Sequence, residues 1–500
     1  MKKKINIIGA GIAGLSAGCY LQMNGYDTEI FELHNIPGGL CTAWERMGYT
    51  FDGCIHWLVG SGPGNNFYSL WNELVDMKNM EVKDHEVYLR VESEDPENYI
   101  DIFTDVNKLE TELLAKAPED KKMIKEFTGA IRKFKKLKLP VSKAREVMNM
   151  GEGLKMLFTI LPYIGGLRKW GSMSLNDLSE KFNNPLLKKA VKLLFFPEMT
   201  SLFMVANLAW MSNRGAGYPL GGSFSLSKSM EKRYTNLGGK IHFNSRVKKI
   251  ETNNNKATGI TLTGGETLNS DITVSCADGY DTIFNMLEGK YLNRKIKGYY
   301  KNYKVITSYL QISMGIDGKF EGLPGHIYIP VDEGIRIDDS TITDSIGVRI
   351  FNFDPYLAPK GKTALTAMLT TEDFKYWVDL KEKNMRKYRE EKKRIGEKVV
   401  EILEKRFGNI SDRIEVMDVS TPSTVIRYTN NWKGSLEGWA LTPDILLKQM
   451  DKTLPGLKGF YMAGQWVEPG GGLPTAMVSG RNVAQIICDK DDKKFKTTSF

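Results

Sequence analysis

Histidine and cysteine are both scarce in this chain, five of each among 500 residues. The cysteines (Cys19, Cys41, Cys54, Cys276 and Cys488) are odd in number, scattered, and form no C-x-x-C pair. That argues against a disulfide scaffold or a zinc site and for a reducing compartment. The histidines are equally dispersed, so no metal is expected. No apolar run has the length needed to span a bilayer. The longest, Met199 to Met211, is bounded by Glu198, interrupted by Asn207, and reads as a buried helix. Internal repeats, low-complexity segments and Pro/Gly-rich linkers are missing as well. What remains, 41% hydrophobic and 26% charged, suits a globular protein of two or three domains with a large core.

The amino-terminal stretch is the most specific signal. Ile5-Asn-Ile-Ile8 reads as a buried strand and runs into Gly9, Gly11 and Gly14 in G-x-G-x-x-G spacing, with Ile12 and Ala13 opening a small-residue helix. Gly9 permits the tight turn, Gly11 lets backbone approach a pyrophosphate, and Gly14 lets the helix pack close to the sheet. Glu32, eighteen residues past Gly14, ends a second strand where a carboxylate accepts ribose hydroxyls. Strand, turn, helix and acid together indicate a dinucleotide site. They also account for the basic tip and apolar run that imitate a signal peptide. Ser16, three before Cys19, is a poor lipoprotein cleavage residue, so export is not expected.

The net charge is +9, and Lys121 to Lys138 holds eight Lys or Arg against one acid, with Ile124, Phe127, Ile131 and Phe134 at helical spacing. The apolar stretch Leu154 to Leu167 follows, closed by Arg168-Lys169-Trp170. The pair reads either as an interfacial membrane contact or as a solvated helix beside a core helix. The expected location is cytoplasmic, with peripheral attachment to the inner face of the membrane under the first reading. No recognition motif accompanies the charge, so no nucleic acid partner is expected.

Dinucleotide-domain patterns occur three times, at 1–90, 215–290 and 440–500. Short alternating strands lie at Lys240–Asn244, Ala257–Thr263 and Ile272–Ser275, and a buried one at Phe460-Tyr-Met-Ala. Residues 91–214 read mostly as helices. Residues 291–439 alternate at Val305–Met314, Ile346–Asn352 and Ala364–Thr370 before a long amphipathic helix stopped by Gly408. The expected fold is α/β, a Rossmann-like cofactor domain built from the three discontinuous segments. An inserted α+β substrate domain, mixed sheet plus helices, comes from 91–214 and 291–439, with a ligand between the two.

A second glycine pair, Gly38-Gly39, follows the acid and precedes Leu40, Cys41 and the Ile55-His56-Trp57 stretch. It is either a simple turn or a backbone approach to the pyrophosphate and ribityl region of FAD. The carboxy-terminal Ala463-Gly464-Gln465 and Gly470-Gly471-Gly472-Leu473-Pro474-Thr475-Ala476 run directly into a helix. The helix's positive end suits the flavin locus where negative charge gathers on reduction.

Together with Tyr218-Pro219-Leu-Gly221-Gly222, Gly239 to Val247, and Thr421-Pro422 through Arg427-Tyr428 to Gly434, these motifs give a resemblance over nearly the whole chain. The chain resembles the phytoene desaturase, carotenoid isomerase and retinol saturase group of FAD-dependent oxidoreductases, within the amine oxidase-like flavoproteins. The resemblance implies FAD as cofactor, with a backbone contact to adenine at Val247. It implies hydride exchange between flavin N5 and a carbon of an apolar polyene. No second G-x-G-x-x-G is present for a nicotinamide, so the implied electron donor or acceptor is a separate partner. Two departures stand out. Leu40 replaces the arginine common after the second glycine pair, which leans toward saturases and isomerases. Gln465 replaces the usual acid toward the ribityl chain, and its carbonyl can still accept.

On motif position, His56, Tyr218, Arg427 and Tyr428 are the candidates near the ring, with His56 or Tyr428 as proton donor. The competing readings are a core histidine for His56 and an inter-domain ion pair for Arg427. Three functions follow from the resemblance: saturation or desaturation of carbon–carbon double bonds in an isoprenoid or lipid, redox-neutral isomerisation needing reduced FAD, and a non-catalytic prenyl-protein escort role. The intact glycine fingerprint counts against the third.

Overall fold

The computed structural model describes residues 2–448 and 450–500, and its architecture is α/β. Lys4–Ile8 is the central strand of a five-stranded parallel sheet. The order is Lys240–His242, Asp27–Phe31, Lys4–Ile8, Ile272–Ser275 and Phe460–Met462. Ile5, Ile7 and Val274 are fully buried, as parallel strands covered by helices must be. The helices Ile12–Met23, Gly222–Asn236 and Leu473–Lys490 pack around this sheet. The first and last nearly touch backbone to backbone, because a Cβ on Gly480 would lie 2.4 Å from the Ala13 carbonyl oxygen. That crossing brings the carboxy-terminal glycine loop onto the amino-terminal glycine turn. An antiparallel meander of Val247–Asn253, Lys256–Leu262 and Thr267–Asn269 stands beside the sheet.

A second sheet has seven strands in the order Ile414–Ser420, Ser308–Ile316, Thr363–Thr371, Ile342–Ile350, His326–Arg336, Val87–Glu92 and Tyr99–Phe103. All neighbours are antiparallel except His326–Arg336 with Val87–Glu92. Period-two alternation divides its faces. Leu310, Ile312, Ile346, Val348, Leu365 and Ala367 join Ile395, Val399 and Leu403 of the helix Met385–Phe407 in one core. Tyr309, Gln311, Tyr328, Gly347, Arg349, Thr366 and Met368 instead line a large cavity.

Two sequence expectations change here. Residue 90 falls inside Val87–Glu92, so the sheet of the second layer claims the end of the first segment. Residues 91–214 are mostly helical, as expected, with the strand Tyr99–Phe103 paired to Val87–Glu92. Charges interrupt the apolar alternation of that hairpin, and its Arg90 and Asp101 form a cross-strand ion pair at 2.8 Å. The basic helix Lys121–Phe134 buries its apolar face, including Ile124, Phe127 and Ile131, against the helix Ser201–Ser212. Trp170 is buried too, against Phe127. Neither is free to enter a bilayer. The helices Met150–Ile160 and Ile164–Gly171 do leave Leu154, Leu157, Phe158, Leu161 and Ile164 exposed. No helix among the described residues is long and apolar enough to cross a membrane.

Candidate active site

A cleft runs along the carboxyl ends of the parallel strands. Its walls include Gly9, Gly11, Ile12, Ala13, Glu32, Gly38, Gly39, Leu40, Val247, Gly464, Gln465, Gly472, Leu473 and Ala476. Gly14 does not line it but sits behind the turn, where a Cβ would lie 1.9 Å from the Gly9 carbonyl oxygen. Two helices, Ile12–Met23 and Leu473–Lys490, start at this cleft from Gly11 and Gly472, and neither has a side-chain cap. Their first N–H groups and positive dipole ends therefore converge on one space.

Glu32 is buried, with its carboxylate accepting the Ala10 and His34 backbone N–H groups at 2.7 and 2.8 Å. Burial raises its pKa against the pull of those bonds. Its remaining acceptor capacity faces the cleft, as a ribose requires. The Gln465 amide nitrogen donates to Asn431 Oδ1 at 2.8 Å, which leaves the Gln465 carbonyl as the acceptor toward a ligand. Arg246, absent from the sequence reading, also lines the cleft and donates to Asn430 Oδ1 at 3.1 Å. The basic pattern around Arg246-Val247-Lys248 was its only signal. This geometry fits FAD: an uncapped helix end at a glycine turn for the pyrophosphate, a buried acid for the ribose, and a second helix end at the far side of the cleft.

Against the cleft lies a cavity of about 510 Å³. One wall is the face of the seven-stranded sheet turned away from the helix Met385–Phe407. The other is aromatic and aliphatic, with Trp57, Phe195, Phe196, Phe203 and Trp210. Leu40, Cys54, Leu436, Glu437, Gly472 and Leu473 line both spaces. At this junction Glu437 is held by the Gly472 backbone N–H, and burial raises its pKa to about 8. It is therefore a neutral, proton-bearing carboxylic acid at pH 7. The sequence reading missed it, although an acid within Leu436-Glu437-Gly438-Trp439-Ala440-Leu441 is an isolated charge in an apolar run.

The residues placed near the ring by motif are distributed differently. His56 faces the large cavity rather than the cofactor cleft, and Pro474 does the same. Burial, with Arg349 and His326 nearby, holds the His56 imidazole well below its ordinary pKa, so it carries no spare proton at neutral pH. Tyr218 is fully buried and lines neither space. It donates to Asp52 at 3.3 Å, and Asp52 also takes the Cys54, Ile55 and Ser223 backbone N–H groups. Arg427 and Tyr428 lie on the exposed side of the helix Pro422–Thr429, Arg427 over the Tyr428 ring and Tyr428 edge-on to His34. Neither lines either space. The helix turns its other side inward, with Pro422 and Ser423 buried.

The cleft and the cavity opening onto it define an FAD-dependent oxidoreductase. The chain belongs to the flavin containing amine oxidoreductase family, whose model matches residues 12–488. It is 26% identical over 499 residues to the chloroplastic prolycopene isomerase of Daucus carota, covering 95% of this chain and 78% of the relative. It is 24% identical over 518 residues to the 4,4'-diapophytoene desaturase (4,4'-diapolycopene-forming) of Methylomonas sp, covering 99% and 97%. The crystal structure of an oxidoreductase from Methanosarcina mazei shares the fold, with TM-score 0.61, 18% identity and coverage of 96% and 99%.

Proposed function

We propose that this protein reduces or forms carbon–carbon double bonds in a long apolar substrate held in the sheet-backed cavity. The supporting observation is the set of residues common to cleft and cavity, which puts a molecule in one against a molecule in the other. Bound FAD supplies hydride acceptance and donation. The chain supplies the rest. Its two helix ends and Glu32 fix the cofactor, and the Phe195, Phe196, Phe203 and Trp210 wall excludes water from the substrate. Glu437 holds a proton at its carboxyl where the two ligands meet, taking the role that motif position had given to His56 or Tyr428. The relatives named for desaturation and isomerisation of carotenoids support an isoprenoid-like substrate.

Leu40 places an aliphatic side chain at the junction, and we take saturation as the forward reaction. Anaerobic reoxidation of chemically reduced enzyme, tested against carotenoid, retinoid, steroid and unsaturated fatty-acid acceptors, decides it. Bleaching of one acceptor equivalent per flavin, with return of oxidised flavin absorbance, is the expected result. Rearranged acceptor with flavin still reduced marks the isomerase, for which the prolycopene isomerase relative is the specific support. Oxidation of a saturated lipid marks the desaturase. The substrate reaches the cavity from an anionic bilayer surface. The exposed Leu154, Leu157, Phe158 and Leu161 support this contact, since Lys155, Arg168 and Lys169 are exposed beside them.

A further inference from the structure

Arg349 is the only cationic side chain lining the large cavity among the described residues, and it has neither an ion pair nor a hydrogen bond there. Its Nε is shut away from solvent without a partner, and so is His326 Nδ1. The two residues face each other across adjacent strands, with Thr366 opposite Arg349 on the other side. They form one polar row on a wall whose opposite side is aromatic. The side chain is only partly covered by protein because it faces the cavity.

The groups around it do not neutralise it. His56, His85 and His326 are held neutral by burial, and Tyr88, Tyr218 and Tyr328 keep their protons. Asp52, the carboxylate whose charge acts on it, is tied to Ser223 and the Cys54 and Ile55 backbone. Burial lowers the guanidinium to about 10, with Tyr88, Tyr218 and Asp52 pulling the other way. A cation facing a largely apolar cavity with no ion pair or hydrogen bond is costly, and a fold keeps one where something else completes it. Arg349 also lines the smaller pocket bounded by Asp84, His85 and Thr104, so it stands where that pocket joins the main cavity.

We infer that Arg349 receives a carboxylate of the substrate, so that the cavity takes an apolar chain ending in an acid. The guanidinium offers paired donors in the plane that a carboxylate accepts, and the neutral His326 ring stands beside it in the same row. This deepens the proposed function and rests on its reading of the cavity as the substrate site. A site built around such a group discriminates strongly against an analogue that cannot pair with it.

The test is fluorescence titration of the FAD-loaded protein with cis-parinaric acid, a conjugated tetraene carboxylic acid, and with its methyl ester. The acid is expected to bind at least tenfold more tightly than the ester. Arg349→Met should weaken the acid at least tenfold, to the level of the ester, and leave the ester unchanged. Arg349→Lys, which keeps the charge without the fork, should fall between. Arg349→Met should also melt no lower than the parent, because it removes an unpaired charge and not an ion pair. Equal binding of acid and ester by the parent overturns the inference, as does binding of neither, or an acid preference that survives Arg349→Met. Should Arg349→Met fail to fold, the parent comparison and Arg349→Lys decide. No turnover is needed. An acid preference with no reoxidation by any acceptor would overturn the proposed reaction and leave the anchor standing. Reoxidation by a hydrocarbon with equal acid and ester binding would do the reverse.

Discussion

The Glu437 carboxyl accepts the backbone N–H of Gly472, the residue from which the last helix starts, and both residues face the cofactor cleft and the substrate cavity. The loop leaves room for it: a Cβ on Gly471 would lie 2.1 Å from Glu437 Oε2. An acid kept protonated at such a junction is a proton source for saturation of a double bond. Glu437→Gln should retain FAD and slow anaerobic reoxidation by about 10²–10⁴-fold, the usual contribution of a general acid. In the parent, the rate should fall as pH rises through about 8, where the carboxyl ionises. That fall should vanish in the variant. A Glu437→Gln protein with parental rates would exclude the role.

The same acid makes stability depend on pH. Its folded pKa, about 8, exceeds the ordinary carboxylate value, so between those values the folded state holds a proton that the unfolded state has lost. Stability therefore decreases as pH rises through this window and levels off above it. Asp278, raised by burial to about 7, acts in the same direction. Thermal melts should show a lower Tm at pH 9 than at pH 6, and Glu437→Gln should reduce the difference. A pH-independent gap between parent and variant would contradict the assignment.

Glu32 lies between the glycine turn and the cleft that would hold the cofactor. Its carboxylate holds the backbone at Ala10 and His34 and offers its remaining capacity to a ribose. A hydrogen bond to a charged group contributes roughly 1.5–3 kcal/mol, so Glu32→Ala should weaken FAD by about one to two decades. Because the turn loses its two anchors, the apoprotein should also melt lower. Flavin fluorescence titration of the refilled apoprotein, beside its melting curve, separates the two effects. Full flavin retention by Glu32→Ala would count against the ribose role.

The cofactor half was legible in the sequence because its physics is local. A turn of glycines, a helix starting at once and an acid at a strand end each need particular residue types at fixed spacing. The reach of Gly480 onto Ala13 was not legible, since nothing in the sequence states which helices cross. The cavity was harder. Arg349 sits in a strand whose alternation was visible at Ile346–Asn352, but its lack of a partner depends on His326 and Thr366 arriving from other strands. Glu437 has an unremarkable neighbourhood in sequence, and its raised pKa comes from burial under a loop more than thirty residues away. Tyr428 and Arg427 failed as ring candidates because motif position does not say which side of a helix faces inward.

Gly480 makes a separate prediction about assembly of the cofactor half. A Cβ there would lie 2.4 Å from the Ala13 carbonyl oxygen and 2.7 Å from the Ala17 nitrogen. Both are backbone atoms, so the helices must separate to admit it. Gly480→Ala should cost about 1–3 kcal/mol, the range for overpacking a core. It should also move Gly472 relative to Gly11 and weaken FAD. Urea unfolding and flavin release should shift together, and a variant as stable as the parent would mean that the helices are less tightly crossed.

The fold narrows where the proposed attachment to a bilayer would act. The basic helix Lys121–Phe134 has its apolar face committed to the core, so its lysines can add only long-range attraction. Insertion falls to the helix Met150–Ile160 and the turn after it, with Leu154, Leu157, Phe158 and Leu161 more than half exposed. Burying such a side chain is worth about 1.5–3 kcal/mol. Replacing Leu157 and Phe158 by serine should therefore lower partition onto anionic liposomes by at least about tenfold, even if each is only partly inserted. The fold should be unaffected, since neither side chain is in a core. Raising salt should weaken binding of the parent, because exposed charges are screened within about 10 Å at 0.1 M, and removing four lysines of Lys121–Lys138 should blunt that salt dependence without abolishing sedimentation. Sedimentation unchanged by the serine pair would leave these residues as solvent-facing parts of the substrate domain, with the lipid reaching the cavity by another route.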